Sequence, residues 1–301
     1  MLSFKEIRKI RSLYSKNKNI SKYLRNKKSE SNNSIETILY SYDLQGGSDF
    51  ARRRDSIISK NNKKMAKKIS ELLSNLGCKS FLEAGTGEGL ILGLLDQNKI
   101  KNMPNLYGFD LSLSRLLFAQ KYLVQKKRKK QNLFCANMLD IPLPNDSVDI
   151  VCTVMSMEPN HGSEREILSE LFRVTRRYLI LIEPTYELGS KQTKKHIIEH
   201  GYVRNLPDHI KKLGYKIKTH EYLGLSHVNN ENALIVAEKN EKKSMMKKIE
   251  YVSPISHKSL KKYENFLYCK EDGYVYPIIN GIPCLVKNNA ILASQIHQFF
   301  K

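Results

Sequence analysis

The sequence predicts an α/β fold: a seven-stranded, mostly parallel sheet with flanking helices, preceded by a basic helical arm and followed by a small β-rich module. Three observations predict it. From residue 80 onward short apolar runs alternate with amphipathic stretches, the rhythm of parallel strands linked by crossover helices. The first apolar run passes directly into a glycine-rich turn and then a helical pattern, as in strand–loop–helix units that hold a ligand at the helix entry. After a charged stretch at 242–248, residues 251–287 change to closely spaced turns and aromatic positions.

In chain order, residues 1–30 carry ten Lys or Arg, with Leu2, Phe4, Ile7, Ile10, Leu13 and Tyr14 at helical spacing. Such an arm can lie on a membrane surface or pack on its own domain, and the Ser and Asn cluster at 29–34 reads as a linker behind it. A polar loop with paired glycines at 41–48 follows, then a helix over 50–76. Strands are expected at 80–84, 106–109, 133–136, 149–155, 178–183, 216–222 and 233–238. Helices are expected at 89–97, 112–127, 164–174 and 191–213, the last broken near Gly201 and Pro207. The organisation read from this is an arm and lid loop (1–49), a main domain (50–240), a charged linker (241–249), the β-rich module (250–290) and a C-terminal helix (291–301).

Composition narrows the class. No run of about 18 uncharged apolar residues exists and no apolar leader precedes a small-residue cleavage site, so the expectation is a cytoplasmic protein without a spanning helix. Cys78, Cys135, Cys152, Cys269 and Cys284 are odd in number and widely spaced, which suits buried thiols rather than a disulfide framework. The net charge of +21 admits polyanionic partners such as RNA. Lysine supplies 38 of the 51 basic residues, however, and with abundant Asn and Ile that bias is also what a neutral compositional drift writes on a solvated surface.

The chemistry concentrates in Phe81-Leu-Glu-Ala-Gly-Thr-Gly-Glu-Gly-Leu90. Gly85 and Gly87 let the chain turn tightly and bring backbone amides against a ligand, and Gly89 allows close approach at the helix entry. The spacing is Gly-x-Gly-x-Gly, with Glu83 two places before the first glycine and Asp110 ending the next strand. This combination resembles the class I (Rossmann-like) S-adenosylmethionine-dependent methyltransferases of the type 11 kind. The resemblance implies that Asp110, with Leu111 beside it, receives the ribose hydroxyls, while Glu83 and the loop Gly85, Thr86 and Gly87 face the methionine portion of the cofactor. A carboxylate at a strand end can accept from both hydroxyls of a vicinal diol, and acidic groups suit a cationic sulfonium better than the basic pocket of a pyrophosphate. No metal is expected.

A third station follows the third strand, in Cys135-Ala-Asn-Met-Leu-Asp140. By the same resemblance Asn137 stands where Asp is usual; its carbonyl oxygen can accept from the adenine amine while the Met138 amide serves the ring. Asp140 is the alternative acceptor. The fourth strand opens into Ser156-Met-Glu-Pro-Asn-His-Gly162, at the carboxyl edge where open parallel sheets bind ligands. Glu158 and His161 are the candidate bases there, capping of the helix that begins near Ser163 being their alternative role. Glu183 and Glu187 follow the fifth strand at the same edge, and Tyr42 and Asp43 lie where a lid can fold over the cofactor.

The C-terminal residues, notably Tyr276-Pro-Ile-Ile-Asn-Gly-Ile-Pro283, resemble the small zinc-ribbon activators of tRNA, rRNA and release-factor methyltransferases. The four thiolate positions correspond to Ser253, Ser256, Cys269 and Asp272, a set with one thiol, so the module reads as a metal-free, degenerate ribbon. With such a module on the chain, no separate activator subunit is expected. Three functions follow: transfer of a methyl group to a small-molecule or glycosidic acceptor; RNA- or ribosome-associated methylation, favoured by the charge; and a non-catalytic scaffold that binds the cofactor. The sharpest basic run, Lys126-Lys-Arg-Lys-Lys130, has no interleaved aromatic residues to stack on bases and reads as a solvated helix end.

Overall fold

The computed structural model describes residues 2–16, 18–47, 57–128, 132–225, 229–239 and 249–299. The arm is three helices rather than one: α1 (Phe4–Ser15), α2 (Ile20–Lys28) and α3 (Ile35–Asp43). Each starts on a side-chain cap, Ser3, Asn19 and Ser34, which accept from the amides of Glu6, Lys22 and Thr37. Ile10, Ile20 and Leu24 close a small core with Tyr14, Tyr40 and Leu44. Tyr42 and Asp43, expected in a loop, form the last turn of α3. The arm is fastened to the main body by Arg25, whose guanidinium donates to the carbonyls of His200 (2.8 Å) and Glu199 (3.1 Å), and by Asn33 Nδ2, which donates to the Pro159 carbonyl at 2.8 Å.

After α4 (Ile57–Leu76) the strands and helices alternate as the apolar rhythm requires: β1 (Ser80–Ala84), α5 (Leu90–Leu94), β2 (Asn105–Asp110), α6 (Leu113–Gln125), β3 (Asn132–Cys135), β4 (Val148–Val154), α7 (Glu164–Val174) and β5 (Thr175–Pro184). α8 (Lys191–His200) and α9 (Leu206–Lys212) replace the single broken helix, Gly201 ending the first in the left-handed conformation and Pro207 opening the second. β6 (Lys216–Tyr222) and β7 (Asn232–Glu238) complete the sheet. Its order is β3-β2-β1-β4-β5-β7-β6, parallel through β5, with β7 antiparallel to β5 and to β6. β1 is buried along its whole length because helices cover both faces. One face packs Leu82, Phe109, Phe134 and Phe172; the other packs Ile69, Phe81, Leu92 and Ile180.

The expected solvated helix end at 126–130 differs from the structure, as far as it is described. Lys129 and Lys130 lie outside the described residues, and Arg128 is buried, donating to the carbonyls of Gly93 (3.1 Å) and Leu95. It caps the C-terminus of α5, where unpaired carbonyls favour a cation.

The C-terminal residues form a second sheet from β8 (Lys261–Lys262), β9 (Phe266–Tyr268), β10 (Tyr274–Ile279) and β11 (Ile282–Pro283), with β12 (Ile291–Leu292) on the other side of β10. It is joined to the main sheet. Cys284 pairs with Cys135 through a backbone β-bridge, both thiols being free, the Leu285 amide donates to the Cys135 carbonyl at 2.8 Å, and Leu267, Tyr276 and Leu285 belong to the main core. The β3 edge, otherwise an open ladder, is thereby covered. Residues 291–299, expected as a helix, hold β12 and a short 3-10 turn (Ile296–Gln298), because Ile291 and Leu292 find ladder partners in Val275 and Tyr274. The charged stretch 240–248 lies outside the described residues. Ser253, Ser256, Cys269 and Asp272 do converge: both serine hydroxyls donate to Asp272 Oδ2, at 2.5 and 2.9 Å, and Ser256 Oγ is 3.8 Å from Cys269 Sγ. Among the described residues no group of three or more His, Cys, Asp or Glu is placed to hold a metal, and no helix is long and apolar enough to cross a membrane.

Candidate functional site

The strand order reverses between β1 and β4, and at the carboxyl ends of these strands opens a cavity of about 850 Å³. Its inner wall is the turn from β1 into α5. Gly85 and Gly87 have φ of +72° and +54°, and a Cβ on either would lie 2.4 Å from Ser156 Cβ and 2.6 Å from an Arg115 guanidinium nitrogen, so only glycine fits. The turn is pinned on both sides. Thr86 Oγ1 donates to Glu83 Oε2 at 2.7 Å, the Thr86 amide donates to the Phe109 carbonyl at 2.8 Å, and Ser156 Oγ donates to the Ala84 carbonyl at 2.7 Å. Asp110, at the end of β2, accepts from the Gly87 amide on Oδ2 and the Ser112 amide on Oδ1, both at 2.9 Å. Its carboxylate therefore ties the glycine turn to the start of α6 while lining the cavity.

Asn137 and Met138 line the same wall with Leu111. Asn137 Oδ1 accepts from the Leu139 amide at 3.2 Å, and the residue bridges Asp140 across a tight turn. Asp140 is drawn away to Lys287 Nζ, 2.5 Å from Oδ1, and does not line the cavity.

At the outer end the turn after β4 carries Glu158. Its Oε1 accepts from the Tyr42 hydroxyl of α3 at 3.4 Å and its Oε2 from Asn230 Nδ2 at 3.3 Å. Behind it Glu183, from the end of β5, holds the turn by accepting the amides of Ser156 and Met157, each at 3.1 Å. Ile35, Ile38 and Leu39 of α3 form an apolar side, with His196 and Tyr202 nearby. His161 is elsewhere: Nδ1 lies 2.7 Å from Glu164 Oε1, Nε2 meets Arg204, and the ring does not line the cavity. Glu187 likewise turns to the Asn205 amide at 2.7 Å. Asp43 Oδ1 accepts from Ser112 Oγ at 2.6 Å and so braces the start of α6.

Burial resists ionisation of three carboxyls at or behind the cavity wall, those of Glu83, Glu158 and Glu183. Burial pushes Glu83 up to about 8, against the hydrogen bond from Thr86. Burial and then the charge of Glu183 push Glu158 up to about 8, and burial pushes Glu183 up to about 7. Arg115 lies against Gly87 and over the Tyr42 ring, 5.9 Å from its centroid, and its charge opposes the rise at both Glu83 and Glu158. Neither Arg115 nor Asn230 is picked out by a motif. Arg115 is three residues beyond the helix cap Ser112, which faces it back toward the turn; Asn230 precedes an ordinary edge-ward strand and carries no signal.

Residues 82–181 match the family model described as a methyltransferase domain. Among solved structures the chain is similar to magnesium protoporphyrin IX methyltransferase from Synechocystis PCC 6803. With bound SAH that structure is 18% identical, with a TM-score of 0.54, over 68% of this chain and 100% of that one. With bound SAM the figures are 17%, 0.50, 69% and 98%. At these identities the likeness defines the fold: a Rossmann-like sheet of the class I methyltransferase type, with the C-terminal sheet added. No curated protein matches the chain.

Proposed function

We propose that this chain transfers a methyl group from S-adenosylmethionine to a small-molecule acceptor. The observation that carries the reading is the single cavity that runs from the glycine turn and Asp110 to Glu158 at the outer end of β4. The residues present suit the cofactor. Asp110 keeps a second lone pair on each oxygen for the ribose hydroxyls, and Gly85, Thr86 and Gly87 allow close approach of the methionine portion. Leu111, Asn137 and Met138 serve the adenine side, with one lone pair of Asn137 Oδ1 still open beyond its turn. Glu83 and Glu158 place carboxyl oxygens where a sulfonium needs them, gaining negative charge as pH rises through about 8, and Tyr42 donates to Glu158 at the outer end.

Bound S-adenosylmethionine supplies an electrophilic methyl group. The chain's own part is alignment and proton handling. Glu158, raised to about 8, takes a proton from the acceptor in its ionised form, whose share grows as pH rises through that value, and Glu183 fixes the turn that carries it. The helices of the arm, strapped down through Arg25 and Asn33, narrow the outer end, which favours a small acceptor over an RNA strand. The C-terminal sheet, tied to the end of β3 at Cys135, supports the reading that this chain braces its own sheet edge, the part a separate activator subunit would play.

The test is calorimetric titration with S-adenosylmethionine and S-adenosylhomocysteine, with Asp110→Ala alongside. Micromolar binding that the variant loses is the expected result. Absence of binding to the native chain defeats the reading.

A further inference from the structure

The outer end of the cavity contains a polar corner whose hydrogen bonding is incomplete. Asn230 is 6% exposed, lines the cavity, and its Oδ1 has no hydrogen-bond partner among the described residues. Buried carbonyl oxygens are nearly always paired, so one without a partner in a side chain that lines the cavity points to a donor on the ligand. Beside it, among the described residues, the Glu158 carboxylate is held by two long contacts, 3.4 Å from Tyr42 and 3.3 Å from Asn230. Both oxygens of this corner therefore have capacity for further donors. The flank is apolar, from Ile35, Ile38 and Leu39, and aromatic, from Tyr42 and Tyr202.

We propose that the acceptor is a primary amine carried on an apolar, ring-sized body, with its nitrogen seated between Glu158 and Asn230. This rests on the methyltransferase reading above. An ammonium brings three N–H donors to two acceptor oxygens, whereas a hydroxyl brings one. A carboxylate or phosphate meets like charge in a low-dielectric corner once Glu158, or Glu183 behind it, is ionised; Arg115, on the glycine-turn side, is the cation that faces them. The proton balance closes. Glu158 takes one proton from the ammonium, freeing the nitrogen lone pair; the new N–C bond forms as the C–S bond breaks with its pair going to sulfur. The product is a methylated ammonium, and the proton on Glu158 leaves to water.

Phenethylamine, phenethyl alcohol and phenylacetate share one body and differ at the head group, which makes them direct probes. Each is titrated calorimetrically into the full chain, with and without saturating S-adenosylhomocysteine. The amine is expected to bind at least about tenfold more tightly than the other two. Glu158→Gln and Asn230→Leu are each expected to abolish that preference, with melting temperature and S-adenosylhomocysteine affinity reporting that each variant is folded. Equal affinities, a preference for the alcohol or the acid, no saturable binding of the amine, or a preference that survives both substitutions overturns the proposal. Failure of S-adenosylhomocysteine to bind defeats the methyltransferase reading instead, and the titration into the free chain still decides the amine site.

Discussion

At the inner end of the cavity the wall is local in sequence: residues 81–110 supply the glycine turn, Glu83 and Asp110, and backbone amides close the contacts between them. At the outer end Tyr42, Glu158, Tyr202 and Asn230 come from four separate segments, and the carboxylate of Glu158 is what Tyr42 and Asn230 share. The first arrangement is fixed by backbone geometry, and a change there strains the chain itself. The second is fixed by packing, so a substitution alters chemistry while the framework stands. On the proposed function, binding of the cofactor and choice of acceptor are expected to be separable.

The sharpest way to break that separation is Gly87→Val. The position has φ of +54° and faces the Arg115 guanidinium, so the side chain is both strained and obstructed. S-adenosylhomocysteine affinity is expected to fall at least about a hundredfold, roughly 2.8 kcal/mol, by calorimetry. Asp110→Ala comes next. Loss of charge-assisted hydrogen bonds is expected to weaken binding by about 1.5–3 kcal/mol, and an unchanged affinity would sink the assignment of the inner end. Because Asp110 also ties Gly87 to Ser112, the variant should lose some melting temperature as well.

Glu158→Gln should act on the other half of the comparison. Turnover is expected to fall about a hundredfold, in the range of general-base losses, with the affinity for S-adenosylhomocysteine changed by less than about threefold. A large loss of that affinity would mean that the two ends are one site. The pH dependence gives a finer reading. Glu83 and Glu158 stand at about 8, so both ionise as pH rises through that value and attract the sulfonium but not the neutral thioether. The ratio of S-adenosylmethionine to S-adenosylhomocysteine affinity should therefore rise between about pH 6.5 and 9, in proportion to the charge gained. The same shifts act on stability. A carboxyl whose folded pKa is raised contributes stability below its unfolded value near 4.5, and loses it as pH climbs through the folded value. The melting temperature of the free chain should thus fall from about pH 5 toward 8.5, less steeply in Glu158→Gln. The smallest effect is expected for His161→Ala, since the ring pairs with Glu164 and Arg204 away from the cavity. Cofactor affinity should stay within about twofold; a large loss of turnover would restore His161 to the site.

Legibility in the sequence follows the same division. The order of strands and helices, the glycine turn and Asp110 were readable because period and spacing are local properties. The break between α8 and α9 was readable from Gly201 and Pro207 for the same reason. The packing of the arm into three helices was not, since the linker residues Ser29 to Ser34 double as a left-handed cap and a new helix start. Residues 291–299 misled because a short apolar segment reads equally as helix or strand until a partner strand is present.

The sequence by itself determined the α/β sheet and the inner wall of the cavity, because neighbouring residues there act through backbone conformation and hydrogen-bond register. Only the tertiary structure decided that Glu158 faces the cavity while His161, three residues on, does not. It also decided that Arg115 lies over Gly87, that Asn230 stands beside Glu158, and that the C-terminal sheet closes the β3 edge. These contacts join residues up to 150 positions apart, as at Leu285–Cys135, and no local period encodes which distant side chain fills a given space.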